Sequence, residues 1–248
     1  MPRHDTYQED YIAERQYDLP LNDFNNIYII GLGGIGSWVA LFVALAGRCK
    51  AIHMWDDDVI ESTNLNRTPF KTDDVGERKV DAVERLINER RFFATDIHSY
   101  CAKFTARSMI DVVKEHHKLG HTGVIIDCRD GVYSDIKSSP YKVYKCAYDG
   151  LSLTIDGDYN NRVVLGEDRG QYTATPSFVC PAVLCAVLVV ADILQSPNAG
   201  RKAHADGESC DSSFMFNKLV TFDSSWLLQD LYLKERRHAR QRVETGVL

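Results

Sequence analysis

Nowhere in the 248 residues do two cysteines stand in a C-x-x-C spacing. The seven cysteines are odd in number and irregularly placed, so neither a zinc ribbon nor a disulfide framework is indicated. Long hydrophobic runs are also missing. The longest, residues 182–191, is too short to span a bilayer. The first eighteen residues are polar and charged and hold no apolar segment of signal-peptide type. There is no excess of positive charge: the net charge of -6 argues against general nucleic-acid binding. No internal repeat or low-complexity segment is present. These absences point to a protein of a reducing cytoplasm, with no membrane partner and nucleic acid disfavoured as a partner. With 44% hydrophobic residues the chain has enough apolar material for a full core.

The stretch from residue 27 to residue 67 organises the rest. Residues 27–30 are apolar and mostly β-branched, as a buried parallel strand requires. Gly31, Gly33 and Gly36 follow as G-x-G-x-x-G. Residues 38–46 are almost continuously apolar, which predicts a buried helix, and residues 51–55 predict a second strand ending at Asp56. Strand, glycine turn, helix, strand and terminal acid are the parts of a nucleotide-binding βαβ unit. Gly31 permits the tight turn, Gly33 admits a phosphate close to the backbone, and Gly36 allows close packing of helix on strand. Asp56 is placed to accept hydrogen bonds from ribose hydroxyls.

Further along, Val80, Val83, Leu86 and Ile87 recur at helical spacing, residues 97–104 alternate as a strand, residues 106–118 suit a helix, and residues 123–127 form another buried strand. The predicted fold is α/β: a Rossmann-like, doubly wound, mostly parallel sheet. Residues 141–148 and 151–156 predict a hairpin turning at 149–150, an antiparallel extension of that sheet. A strand over 162–165, a long apolar helix over 176–194, a strand over 214–222 and a basic terminal helix over 226–242 complete the prediction. Residues 1–25 read as an N-terminal arm, and 26–248 as one domain with a nucleotide-binding half to about 140 and a C-terminal half beyond it.

Four groups outside the glycines carry chemistry. Asn64 and Arg67 lie in the loop that starts beside the ribose acid, where an arginine fork can clamp phosphate oxygens. Lys79 follows Gly76 at a helix start, where its ammonium can neutralise phosphate. Asp127 and Asp130 lie at the end of the 123–127 strand, where ligands of open α/β sheets bind. Either acid can hold Mg²⁺ or cap the next segment, and Asp130 stands further out. A guanidinium, an ammonium and a distal carboxylate around one glycine turn fit nucleotidyl transfer, in which charge builds on phosphoryl oxygens.

With these residues on the page, the chain resembles the ThiF-type adenylyltransferases related to ubiquitin-activating enzymes. The resemblance is carried by Gly31-Leu-Gly33-Gly34-Ile-Gly36-Ser37, Asp56-Asp57-Asp58, Asn64-Leu65-Asn66-Arg67, Gly76-Glu77-Arg78-Lys79-Val80 and Asp127-Cys128-Arg129-Asp130, over about residues 27–195. It implies ATP and Mg²⁺ as cofactors and adenylation of the C-terminal carboxylate of a small ubiquitin-like protein or peptide. By position it implies Gly34, Asp56 and Asp58 around the nucleotide, Asn64, Arg67 and Lys79 on the phosphates, and Asp130 on magnesium. It implies a homodimer in which Arg15 of the arm reaches a neighbour's phosphates. The family's paired C-x-x-C zinc site is missing, so zinc is not expected. Thr68 stands where many relatives carry Gln. Cys180 is the candidate for a thioester; its other reading is a buried apolar residue of a core helix. The runner-up functions are a relative acting on a tRNA-borne carboxylate and an NAD-dependent oxidoreductase using the same glycine fingerprint.

Overall fold

The computed structural model describes residues 16, 19–130, 136–149, 152–157, 177–195 and 220–223, and the statements below concern these. Most of the expected arm, Arg15 included, the 162–165 strand, residues 214–219 of the last predicted strand and the terminal helix lie outside them.

Seven strands form one sheet in the order β3-β2-β1-β4-β5-β6-β7. They are β1 (Phe24–Ile30), β2 (Cys49–Trp55), β3 (Asp96–Tyr100), β4 (Gly123–Asp127), β5 (Lys142–Asp149), β6 (Ser152–Asp156) and β7 (Val220–Asp223). β1 to β5 run parallel, and β6 is antiparallel to both of its neighbours. Four helices accompany them: α1 (Gly36–Ala46), α2 (Lys79–Arg90), α3 (Ala106–Lys118) and α4 (Val179–Gln195). This is the expected doubly wound sheet with its antiparallel extension. Among the described residues no helix is long and apolar enough to cross a membrane.

Why a continuous apolar run makes β1 follows from the pleat, which sends successive side chains to opposite faces. Ile27 and Ile29 join Ile52, Met54, Val124 and Ile126 in one core, into which Val39 and Val43 of α1, Val83 and Ile87 of α2 and Val189 and Ile193 of α4 pack. Tyr28 and Ile30 join Trp55, Ile125 and Val143 in a second core, covered by Met109 and Val113 of α3. Both faces are buried, so alternation of polar and apolar residues is lost.

Most differences from the sequence reading are at ends. The alternation over 97–104 yields a strand only as far as Tyr100, because register with β2 ends at Trp55↔Tyr100 and nothing further pairs. α4 begins at Val179 rather than at Pro176. The polar loop after β2 is more ordered than its composition suggests. Short 3₁₀ turns at Ser62–Asn64 and Thr72–Asp74, a bridge between Val59 and Arg78, and buried Ile60 and Phe70 pin it to the body.

Candidate functional site

The chain leaves β1 toward β2 and β3, then returns to place β4 on the other side of β1. The strand order thus reverses between β1 and β4, and open α/β sheets bind ligands at the carboxyl ends of such a switch. The two exits touch there. Gly31 sits at φ +84, and a Cβ on it would lie 3.2 Å from the Cys128 carbonyl group. A Cβ on Gly36 would overlap the carbonyl oxygen of Gly31, so only glycine lets α1 start this close to the strand. Above Gly33 nothing lies within 4 Å, which leaves room for a phosphate at the backbone. The first turn of α1 carries no acidic side chain to oppose an anion.

A cavity of about 330 Å³ opens over this turn. Gly31, Gly33, Gly34, Asp56, Asp58, Asn64, Arg67, Lys79 and Asp130 all line it. The glycine turn, the 56–79 loop and the exit of β4 therefore meet at one cavity. Asp56 is buried at the floor and accepts the backbone N–H of Leu32 at 2.6 Å and that of Asp58 at 2.9 Å. Burial pushes its carboxyl above the usual carboxylate range, against the pull of Lys79 and of those two N–H groups. Lys79 is buried as well, with Nζ 2.6 Å from Asp58 and 3.8 Å from Asp56. The loop delivers it there by closing on itself: the Ile60 N–H bonds the Glu77 carbonyl, and the Lys79 N–H bonds the Asp58 carbonyl.

Arg67 is held from two sides. The Trp38 indole N–H of α1 donates to its carbonyl at 2.9 Å, and its own Nη1 donates to the Thr63 carbonyl at 2.5 Å and to Asn66 Oδ1 at 3.0 Å. Asn66 in turn donates to the Ser177 carbonyl at 2.7 Å, which joins the arginine loop to the entry of α4. Asn64 Oδ1 accepts the Glu61 N–H within its own turn, and the Thr68 hydroxyl donates to the Asn64 carbonyl. Asp130 is exposed at the cavity rim.

Two readings need correction. Asp127 is not available to a metal: it is fully buried, chelated by the Arg129 guanidinium at 2.9 and 3.0 Å, and 3.4 Å from the buried ammonium of Lys145. Burial would raise its pKa, but the hydrogen bonds and charge of Arg129, together with Lys145, hold it below the ordinary value. Cys180 is not a buried core residue, since it is exposed in the first turn of α4; it does not line the cavity. Sequence reasoning also missed Tyr148, the next-to-last residue of β5, which packs against Gly34. The signal for it was the second of the paired glycines, which the three-glycine fingerprint does not require.

The ThiF family matches residues 16–147, more than half of the sequence. The chain belongs to the ThiF family. Among curated relatives it is 33% identical over 116 residues to the adenylyltransferase and sulfurtransferase uba4 of Emericella nidulans, covering 46% of this chain and 22% of that one. It is 34% identical over 64 residues to ubiquitin-like modifier-activating enzyme 5 of Arabidopsis thaliana, covering 26% of this chain and 15% of that one. The chain thus spans less than a quarter of either relative. Among solved structures, E. coli MccB with ATP superposes with a TM-score of 0.51 at 18% identity, over 74% of this chain and 57% of that one. At that identity the likeness is one of fold.

Among the described residues, Asp56, Asp57 and Asp58 are the group of three acids whose oxygens come within 4.8 Å of one another. One of the three is buried and two are exposed, and Lys79 already neutralises part of their charge. Asp130 stands on the far exit with an open carboxylate. As a donor set, an oxygen ligand at the rim and two cations along the wall fit a magnesium triphosphate.

Proposed function

We propose that this chain is an ATP-dependent adenylyltransferase that activates a carboxylate, the C-terminal glycine of a small ubiquitin-like protein or peptide, with release of pyrophosphate. The observation that carries the reading is the convergence of Arg67 and Lys79 of the 56–79 loop with Asp130 from the exit of β4 on one cavity above the glycine turn. The names of the relatives support it: an adenylyltransferase, a ubiquitin-like modifier-activating enzyme, and MccB, crystallised both with ATP and with MccA.

In this reading the adenosine ribose hydrogen-bonds Asp56, and the phosphates run over Gly33 toward Asn64, Arg67 and Lys79. A carboxylate oxygen attacks the α-phosphorus, the bond from that phosphorus to the bridging oxygen breaks, and pyrophosphate leaves while an acyl adenylate remains. The chain's own work is to orient the phosphates and to meet the charge that grows on their oxygens with the Arg67 and Lys79 cations. Magnesium, held by Asp130, would supply further positive charge at the phosphates.

Asp130→Ala tests this directly. The full chain is incubated with ATP, labelled pyrophosphate and synthetic peptides ending in Gly-Gly, and label entering ATP is measured. Wild type is expected to exchange label in a peptide-dependent way, and Asp130→Ala to lose at least about 100-fold of that rate, as removal of one preorganised charge partner does elsewhere. Exchange at the wild-type rate would remove Asp130 from the mechanism.

A further inference from the structure

Gly34 has to be glycine because of Tyr148. A Cβ on Gly34 would collide with the phenol, lying 2.9 Å from Cζ and closer still to the hydroxyl. On the other side of the same turn, Gly33 faces open space. The turn therefore has one free side, toward a phosphate, and one side closed by a tyrosine.

The surroundings of that tyrosine are those of the phosphate region. Tyr148, Arg67 and Asp130 line the same cavity, and Arg67, Ser177 and Asp130 all act on the phenol electrostatically. The phenol thus shares one cavity with the guanidinium and the distal acid. Ser177 leads into α4, and its carbonyl is already tied to the Arg67 loop through Asn66. Tyr148 is half-buried, and burial raises its pKa against the opposing pull of Arg67 and Ser177, so at neutral pH it keeps its proton. A protonated phenol is a donor that adds no charge of its own.

We infer that Tyr148 is a binding residue for the phosphate chain: seated on Gly34, it donates its hydroxyl proton to a phosphate oxygen and acts as one unit with Arg67. The inference rests on the adenylation reading above. It adds to the cations a neutral donor whose place depends on a glycine outside the fingerprint.

Tyr148→Phe keeps the ring on Gly34 and removes only the hydroxyl. Dissociation constants of the full chain for ATP–Mg²⁺, adenosine and NAD are measured by calorimetry for wild type, Tyr148→Phe, Arg67→Ala and the double variant. The expected result is about tenfold weaker ATP binding by Tyr148→Phe, the size of a lost hydrogen bond to a charged group, with adenosine binding unchanged. In the Arg67→Ala background the same change should cost far less, because coupled partners do not add. Equal ATP affinity in Tyr148→Phe, an equal loss for ATP and adenosine, or full additivity with Arg67→Ala would each overturn the assignment while leaving adenylation standing. A wild-type chain that binds NAD and not ATP would overturn both.

Discussion

Single residues divide here into those that face the cavity and those that hold its walls, and the two kinds look alike in the sequence. Asp127 and Asp130 are three positions apart, yet one is sealed between Arg129 and Lys145 and the other stands at the rim. Both Asp127 and Lys145 are fully buried, so the pair is costly to break even though its net contribution to stability is small. Asp127→Asn removes the charge that the Arg129 guanidinium and the buried Lys145 ammonium share, and should destabilise the protein by about 3–5 kcal/mol. The midpoint of urea unfolding measures this. A change under about 1 kcal/mol, the size of a surface pair, would mean that Lys145 is not held by Asp127. Only the position of β4's last residue, facing inward at Asp127↔Lys145, separates the structural acid from the ligand candidate.

At the scale of elements, α3 closes the second face of the sheet over a layer of rings. Tyr28 of β1 stacks on His53 of β2 at 4.9 Å between centroids, His53 stacks on His98 of β3 at 4.5 Å, and the Tyr28 hydroxyl bonds His116 of α3 at 2.6 Å. His53 also meets Asn26 and the Tyr100 hydroxyl, so its ring is satisfied as a neutral group. Burial first, and then the neighbouring His98 and His116, lower its pKa to about 3. In the unfolded chain it titrates near the ordinary value of about 6.5. Below that pH the unfolded state takes up a proton that the folded state refuses, so stability falls as pH drops from about 6.5 toward 3. The slope from this one group reaches about 1.4 kcal/mol per pH unit. His53→Gln should be less stable at pH 7.5 but should lose stability more slowly with acid. Thermal unfolding followed from pH 7.5 to 4.5 checks both statements, and identical slopes would show that His53 does not govern the acid sensitivity of this layer.

For the molecule as a whole, the site exists only in the folded state, because its parts come from the glycine turn, the 56–79 loop, the exit of β4 and the end of β5. A ligand that needs all four binds the native state alone and stabilises it by mass action. ATP–Mg²⁺ at 100 times its dissociation constant should add about 2.7 kcal/mol to stability, seen as a rise in melting temperature. Chelation of magnesium should remove most of the rise. An equal rise with NAD would instead favour a dinucleotide in the cavity.

The sequence alone determined the order of strands and helices, the glycine turn and the acid at the end of β2, because these rest on local periodicity and on backbone demands that few residues meet. It also carried the family, since five short motifs in one order are more specific than any of them singly. Only the tertiary structure decided which of two neighbouring acids faces the cavity, that Cys180 lies exposed, and that Tyr148 reaches the glycine turn. Those facts depend on which side of a strand faces a neighbour and on how distant segments meet at the sheet's switch point. Neither is written in the spacing of any one stretch of chain.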